Sequence, residues 1–211
     1  VAVLDGSQPP IDRPCGEGVM PEGVAQLDAM AVQVTDEQQR TFRGIRYLDG
    51  DAVAEGLFDG RPGVGIRRAV LHRALAERAM ALGAELRWGT EVSGLTELGV
   101  ATAGGELTGR FVVGADGRSS RVRRWAGLEG RPPLAGRFGV RRHYGMAPWT
   151  DRVEVHWGDG CEAYVTPVAP ELVGVVLMWS GRAGGFDDLL SKLPGLAARV
   201  AGAPAASRDA G

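Results

Sequence analysis

The sequence predicts an α/β layer with an antiparallel β-sheet attached to it. Strand and helix signals alternate over the first 130 residues, and short strands dominate after that. A hairpin between Phe42 and Phe58 interrupts the alternation, so the second sheet draws on two separated stretches of chain. With 211 residues, 44% of them apolar, the chain can bury a core. The expected division puts residues 1–41 and 62–130 in the α/β layer and 42–61 and 131–195 in the antiparallel sheet. Residues 196–211, rich in Ala, Gly and Pro, read as a loop or a severed linker.

Each element follows from local pattern. Val1-Ala2-Val3-Leu4 is an apolar run stopped at Asp5-Gly6, the mark of a buried strand. Prolines and glycines make Gln8 to Val19 an ordered loop, and Pro21 opens a helix through Met30. Asp49-Gly50 is the turn of the Phe42–Phe58 hairpin. Apolar Val70, Leu71, Leu75, Ala79 and Leu82 recur at helical spacing, which predicts a core-facing helix from Arg68 to Leu82, capped by Gly83. Strands follow at Glu85–Trp88, Val92–Leu95, Val100–Ala103 and Leu107–Val113, the last two joined at Gly104-Gly105. Ser119 or Ser120 caps a short helix through Trp125. Four late strands are expected at Phe138–Tyr144, Val153–Trp157, Glu162–Thr166 and Leu172–Met178, and a final helix at Phe186–Leu193.

Composition excludes several classes. A net charge of −2 gives no electrostatic footprint for nucleic acid. The cations are nearly all arginine, with Lys192 the single lysine, a bias typical of GC-rich bacterial genomes. No apolar run reaches the ~20 residues that span a bilayer, and no export signal is visible. Cys15 and Cys161 form neither a disulfide framework nor a metal spacing, which suits a reducing cytoplasm. His72, His143 and His156 are scattered, so no metal site or triad is expected. Trp149, Trp157 and Trp179 read as sheet-core packing before pocket walls, and Cys161 as a small buried hydrophobe.

Two motifs carry chemistry. The run Phe111-Val112-Val113 delivers Gly114-Ala115-Asp116-Gly117 to a sheet edge, with Ser120 starting a helix. Small residues there let a cofactor backbone approach, and a helix N-terminus favours anions. Asp116 would either accept from ribose hydroxyls or fix the turn. The full run Asp116-Gly117-x-x-Ser120-x-x-Arg123 resembles the second flavin fingerprint of FAD-dependent monooxygenases and reductases of the glutathione-reductase type. The second motif, Asp12-Arg13-Pro14-Cys15-Gly16-Glu17-Gly18, resembles the Pro-Cys-Gly-Glu-Gly segment of geranylgeranyl-reductase-like flavoproteins.

The resemblance implies a Rossmann-like FAD-binding layer carrying an antiparallel-sheet substrate domain. FAD is the implied cofactor and NAD(P)H the implied electron donor. Asp116 and Gly117 would lie close to the flavin, Arg123 would brace the turn, and Cys15 and Gly16 would pass near the isoalloxazine ring. Cys15 is the one catalytic candidate, and Arg13 offers charge to phosphate. Asp5 stands where the family usually places glutamate against the adenosine ribose, Arg68 where an arginine reaches the phosphates, and Val92 where a strand backbone meets adenine. Arg68 is alternatively a solvated first-turn residue. Tyr164 and Thr166 fall on the family's substrate-facing sheet.

The glycine-rich phosphate loop and the Gly-Asp motif of the family fall outside these 211 residues, so the chain is expected to be the middle of a longer enzyme. The implied reaction is reduction or oxygenation of a small hydrophobic molecule, prenyl or aromatic. A prenyl substrate brings peripheral membrane contact as an expectation, although no amphipathic basic helix is present. The competing reading is a fragment or scaffold that holds no FAD. A third, an NAD-dependent dehydrogenase, explains neither motif.

Overall fold

The computed structural model describes residues 1–130, 136–181 and 185–211. In chain order the elements are β1 (Ala2–Asp5), β2 (Gly18–Val19), α1 (Pro21–Ala29), β3 (Gln39–Phe42), β4 (Gly44–Asp49), β5 (Ala52–Leu57), β6 (Gly63–Ile66) and α2 (Arg68–Ala81). Then come β7 (Glu85–Trp88), β8 (Val92–Leu95), β9 (Gly99–Thr102), β10 (Gly105–Thr108) and α3 (Arg121–Trp125). The late elements are β11 (Arg137–Tyr144), β12 (Val153–Gly158), β13 (Cys161–Ala169), β14 (Leu172–Ser180), α4 (Phe186–Leu190) and α5 (Pro194–Val200).

The chain forms two compact units, Val1–Ile11 with Ala79–Leu134 and Asp12–Arg78 with Ala135–Gly211. This division differs from the sequence-based one. Residues 12–41 and 62–78 pack with the large sheet, because β2, β3 and β6 form their own three-stranded sheet and β6 passes tightly against β13. The expected boundary at residue 131 lies outside the described residues.

The first unit holds one parallel pair, β1 with β7, and an antiparallel meander in the order β10-β9-β8. Gly105, at φ +109°, makes the β9–β10 turn, as its glycine pair predicts. Two expectations fail here. The strand expected at Leu107–Val113 stops at Thr108, and Phe111 and Val113 are 77% and 83% exposed. Apolar composition marks a segment able to be a buried strand, but a strand also needs a hydrogen-bonded neighbour, and no described strand pairs with this one. Likewise α2, whose Arg68–Arg78 part belongs to the second unit, forms with nearly the expected bounds and Gly83 ends it at φ +83°, yet only Ala74 is buried while Leu75, Met80 and Leu82 remain exposed.

The second unit is built on a six-stranded sheet in the order β11-β14-β13-β12-β4-β5, antiparallel except for β12 beside β4. Alternation sorts its side chains. One face carries Ala163, Val165, Val173, Val175 and Leu177 and packs against Phe186, Leu189, Leu193, Leu196 and Val200 of the α4–α5 segment. The helix expected at Phe186–Leu193 ends at Leu190, and a second helix, unforeseen in the sequence, starts at Pro194. The 196–211 stretch is no loose linker: Leu196 and Val200 are buried, and Ala205 and Ala210 bridge to Tyr144 and Arg141 of β11. Arg142 clamps that tail, bonding Asp209 at 2.7 Å and Asp187 at 2.6 Å with its guanidinium over the Phe186 ring. The other, open face presents Tyr47, Val155, Trp157, Tyr164, Val176 and Met178.

Candidate functional site

The Asp12–Gly18 loop is fastened over one end of the open face. Glu17 is the fastening point. It takes φ +57°, a left-handed conformation unfavourable for a residue with a side chain, and its carboxylate is almost wholly buried. Oε1 accepts from Arg141 at 3.0 Å and from the Arg68 backbone N–H at 2.8 Å, and Oε2 lies 2.6 Å from His143 Nε2. Arg141 also forks onto Asp12 with two bonds of 2.8 Å, the bidentate geometry an arginine suits best. Burial alone would weaken its charge, but Asp12 and Glu17 more than offset that and raise its pKa. The Arg141 hydrogen bond in turn holds the Asp12 carboxyl below its ordinary range. Ser207 completes the set against His143 Nδ1 at 3.0 Å.

This network orders the residues the motif singled out. The Gly16 carbonyl accepts from Thr166 Oγ1 at 2.7 Å, which brings the loop to the sheet face that carries Tyr164. Cys15 Sγ accepts from the Glu17 N–H at 3.4 Å and is half-buried. A Cβ at Gly16 would meet nothing within 4 Å, so open space lies beside the loop. The Arg13 carbonyl touches Arg141 at 3.5 Å while its own side chain is exposed. At the start of α2, Arg68 Nε is buried with no hydrogen-bond partner among the described residues.

In the first unit, Asp5, Val92 and Asp116 are gathered around the start of α3. The Asp5 carbonyl accepts from Thr90 N at 2.9 Å, two residues before β8 begins at Val92, and Glu91 pairs with Arg121 at the first position of α3. One Asp5 oxygen accepts from Ser7 N at 2.8 Å, and the other has no partner among the described residues. The Asp116 carboxylate caps α3, accepting from the Ser120 hydroxyl and from the backbone N–H groups of Arg121 at 2.7 Å and Val122 at 3.1 Å. Those bonds, Ser120 first, hold it at a pKa of about 2. Both Asp116 oxygens are thus engaged in fixing the turn. Gly117 turns the chain at φ +79°, and Arg123 braces the same turn through the Arg118 carbonyl at 2.8 Å.

Each unit by itself offers groups of the kind that flavin dinucleotides need. Arg68 holds an unsatisfied cationic donor, Gly16 leaves room for close approach, and Asp5 keeps an acceptor oxygen for a hydroxyl.

No protein-family model matches the chain. A digeranylgeranylglycerophospholipid reductase of Methanosarcina acetivorans is 36% identical over 86 residues, 36% of this chain and 21% of the reductase. A dialkyldecalin synthase of Streptomyces rugosporus is 29% identical over 152 residues, 65% of this chain and 32% of the synthase. A flavoprotein/dehydrogenase from Cytophaga hutchinsonii matches in structure with a TM-score of 0.80 at 15% identity, over 99% of this chain and 59% of that one. The chain shares the fold of this flavoprotein and, over part of its length, resembles the two curated enzymes in sequence. Halogenase PltM, solved with phloroglucinol and FAD, has the same fold at a TM-score of 0.76 and 16% identity, over 99% of this chain and 54% of its own. The matches cover 21% and 32% of the two curated enzymes, so the chain spans only part of the length of those relatives.

Sequence reasoning missed five polar residues of the second unit. Glu17 stood inside the quoted motif. Arg141 and His143 join it across separations of 124 and 126 residues, which no local pattern signals. Glu154 and His156 were also passed over, although they share one face of β12 two residues apart and their side chains meet at 3.1 Å.

Proposed function

We propose that the protein is an FAD-dependent oxidoreductase that reduces or oxygenates a small hydrophobic molecule, prenyl or aromatic, with NAD(P)H as electron donor. The observation that carries this reading is the fastening of the Cys15–Gly16 loop onto the Thr166 and Tyr164 face of the large sheet. FAD, when bound, supplies the hydride transfer or oxygen activation that side chains cannot. The chain's own residues bind and orient. Arg68 and Arg13 offer positive charge to phosphate groups, and Asp5 offers an acceptor to a ribose hydroxyl.

Val155 and Val176, both buried, and Tyr164 and Met178 beside them make an apolar floor for the substrate. Tyr47 and Trp157 extend it, with ring centroids 5.6 Å apart. An apolar floor excludes water and favours a substrate without charge. Cys15 remains the nearest thing to a catalytic side chain in the loop. Two free cysteines suit the cytoplasm, and a prenyl substrate would bring the protein to a membrane surface although no helix among the described residues is long and apolar enough to cross one.

The test is colour. The purified chain, incubated with FAD and desalted, is expected to stay yellow, with absorbance near ~450 nm. Protein that is colourless after the same treatment holds no flavin and is the scaffold of the competing reading.

A further inference from the structure

A cavity of about 450 Å³ lies in the second unit beside β4, β12 and α5. Its polar base is on the opposite side of the sheet from Tyr164. Glu154 pairs in register with Val165 and His156 with Ala163, whereas Tyr164 pairs with Val155, so alternation puts Glu154 and His156 on the α4–α5 face. Its base is therefore apart from the proposed substrate floor, with which the cavity shares Trp157.

Three observations define what it could hold. Its walls include the flat Trp149 indole and the apolar Leu48, Leu193 and Leu196. At its base, Glu154 is buried and fully engaged: Oε1 accepts from Arg46 at 3.1 Å, and Oε2 accepts from Trp149 Nε1 at 3.1 Å and lies 3.1 Å from His156 Nε2. Those bonds fix the indole and the imidazole in place. Arg46 already answers the Glu154 charge, so Lys192 and Arg199 add positive charge that no carboxylate among the described residues meets within 4.0 Å. Arg199 is steadied over the Trp149 ring, 5.4 Å from its centroid. An open pocket with apolar and aromatic walls, a fixed imidazole and two excess cations is complementary to one chemistry, an aromatic body bearing a single negative charge.

We propose that this cavity is a second ligand site that takes an aromatic carboxylate, its ring against Trp149 and Leu48 and its carboxylate between Lys192 and Arg199. His156, oriented by Glu154, supplies the remaining polar partner at the base. The volume lies toward the small end of the ~300–1,000 Å³ typical of ligand pockets, enough for a fused bicyclic acid. The proposal stands whether or not the chain binds FAD.

Titration of the whole chain with 2-naphthoate, followed by calorimetry and tryptophan fluorescence, tests it. Saturable one-to-one binding is expected, with the uncharged 2-naphthamide at least about ten-fold weaker because it cannot answer the two cations. Lys192→Met and Arg199→Met should each weaken naphthoate binding by roughly five-fold or more while leaving the melting temperature unchanged, since both side chains are exposed. Tyr164→Ala, on the other face, should leave naphthoate binding as it was. Equal affinity for acid and amide, binding indifferent to both cation variants, binding abolished by Tyr164→Ala, or no binding at all would each overturn the proposal.

Discussion

Glu17 shows how one residue can carry a loop. Its left-handed backbone persists because the carboxylate is held by Arg141, His143 and the Arg68 N–H, and the loop that bears Cys15 and Gly16 follows from that placement. A buried ion pair adds little over a well-packed apolar pair, but breaking one from a single side strands the other charge. Glu17→Gln should therefore destabilise the second unit by about 3–5 kcal/mol, read as a lower urea midpoint with an unchanged slope. The residue was visible in the Pro-Cys-Gly-Glu-Gly run, but its role was not. Its partners arrive from β11, well over a hundred residues later, and depend on which face of that strand they occupy. Asp116 is the converse case. Its cap partners, Ser120, Arg121 and Val122, are all within six residues, so its structural role was already written in local spacing.

Elements with a strong local pattern, the four late strands among them, were read well, and those that depend on which partner is available were not. Helix α3 begins at the expected serine, whose hydroxyl accepts from Arg123 N at 2.9 Å while donating to Asp116. Ser120→Ala removes both bonds and should cost about 1 kcal/mol of local stability, seen as faster amide exchange from Arg121 to Trp125. The Phe111–Val113 segment shows the limit. Three apolar residues are a strand only when a partner pairs with them, and composition cannot say whether one does. Strand β6 gives a sharper case. A Cβ on Gly65 would fall 1.8 Å from the Pro167 carbonyl oxygen, so β6 and β13 can approach as they do only with glycine there. Gly65→Ala is expected to force these strands apart and lower the melting temperature by several degrees or more, whereas Gly56→Ala, which meets nothing within 4 Å, should not.

Across the whole molecule, charge is arranged so that carboxylates carry acid sensitivity. Burial pushes the Glu154 carboxyl up, but bonds from His156 and Trp149 outweigh it and the group ends below its ordinary 4.5. Asp12, Asp116 and Asp187 are likewise lowered from 3.8, by Arg141, Ser120 and Arg142 respectively, Asp116 to about 2. A carboxyl whose folded pKa lies below its unfolded one stabilises the fold above the unfolded value and stops doing so as pH falls through the folded one. The melting temperature should thus be level above about pH 5 and fall from about pH 4 toward pH 2. A melting temperature that rose on acidification would show that these pairs do not act as described.

The sequence by itself determined most element types and the two motifs, because turns, caps and glycine positions are decided by residues a few places apart. Only the tertiary structure decided that 12–41 belongs with the large sheet, that the tail is clamped by Arg142, that Glu17 is the fastening residue and that a charged cavity backs the sheet. Those features depend on strand register, where a shift of one residue exchanges the two faces, and register is settled by partners far along the chain.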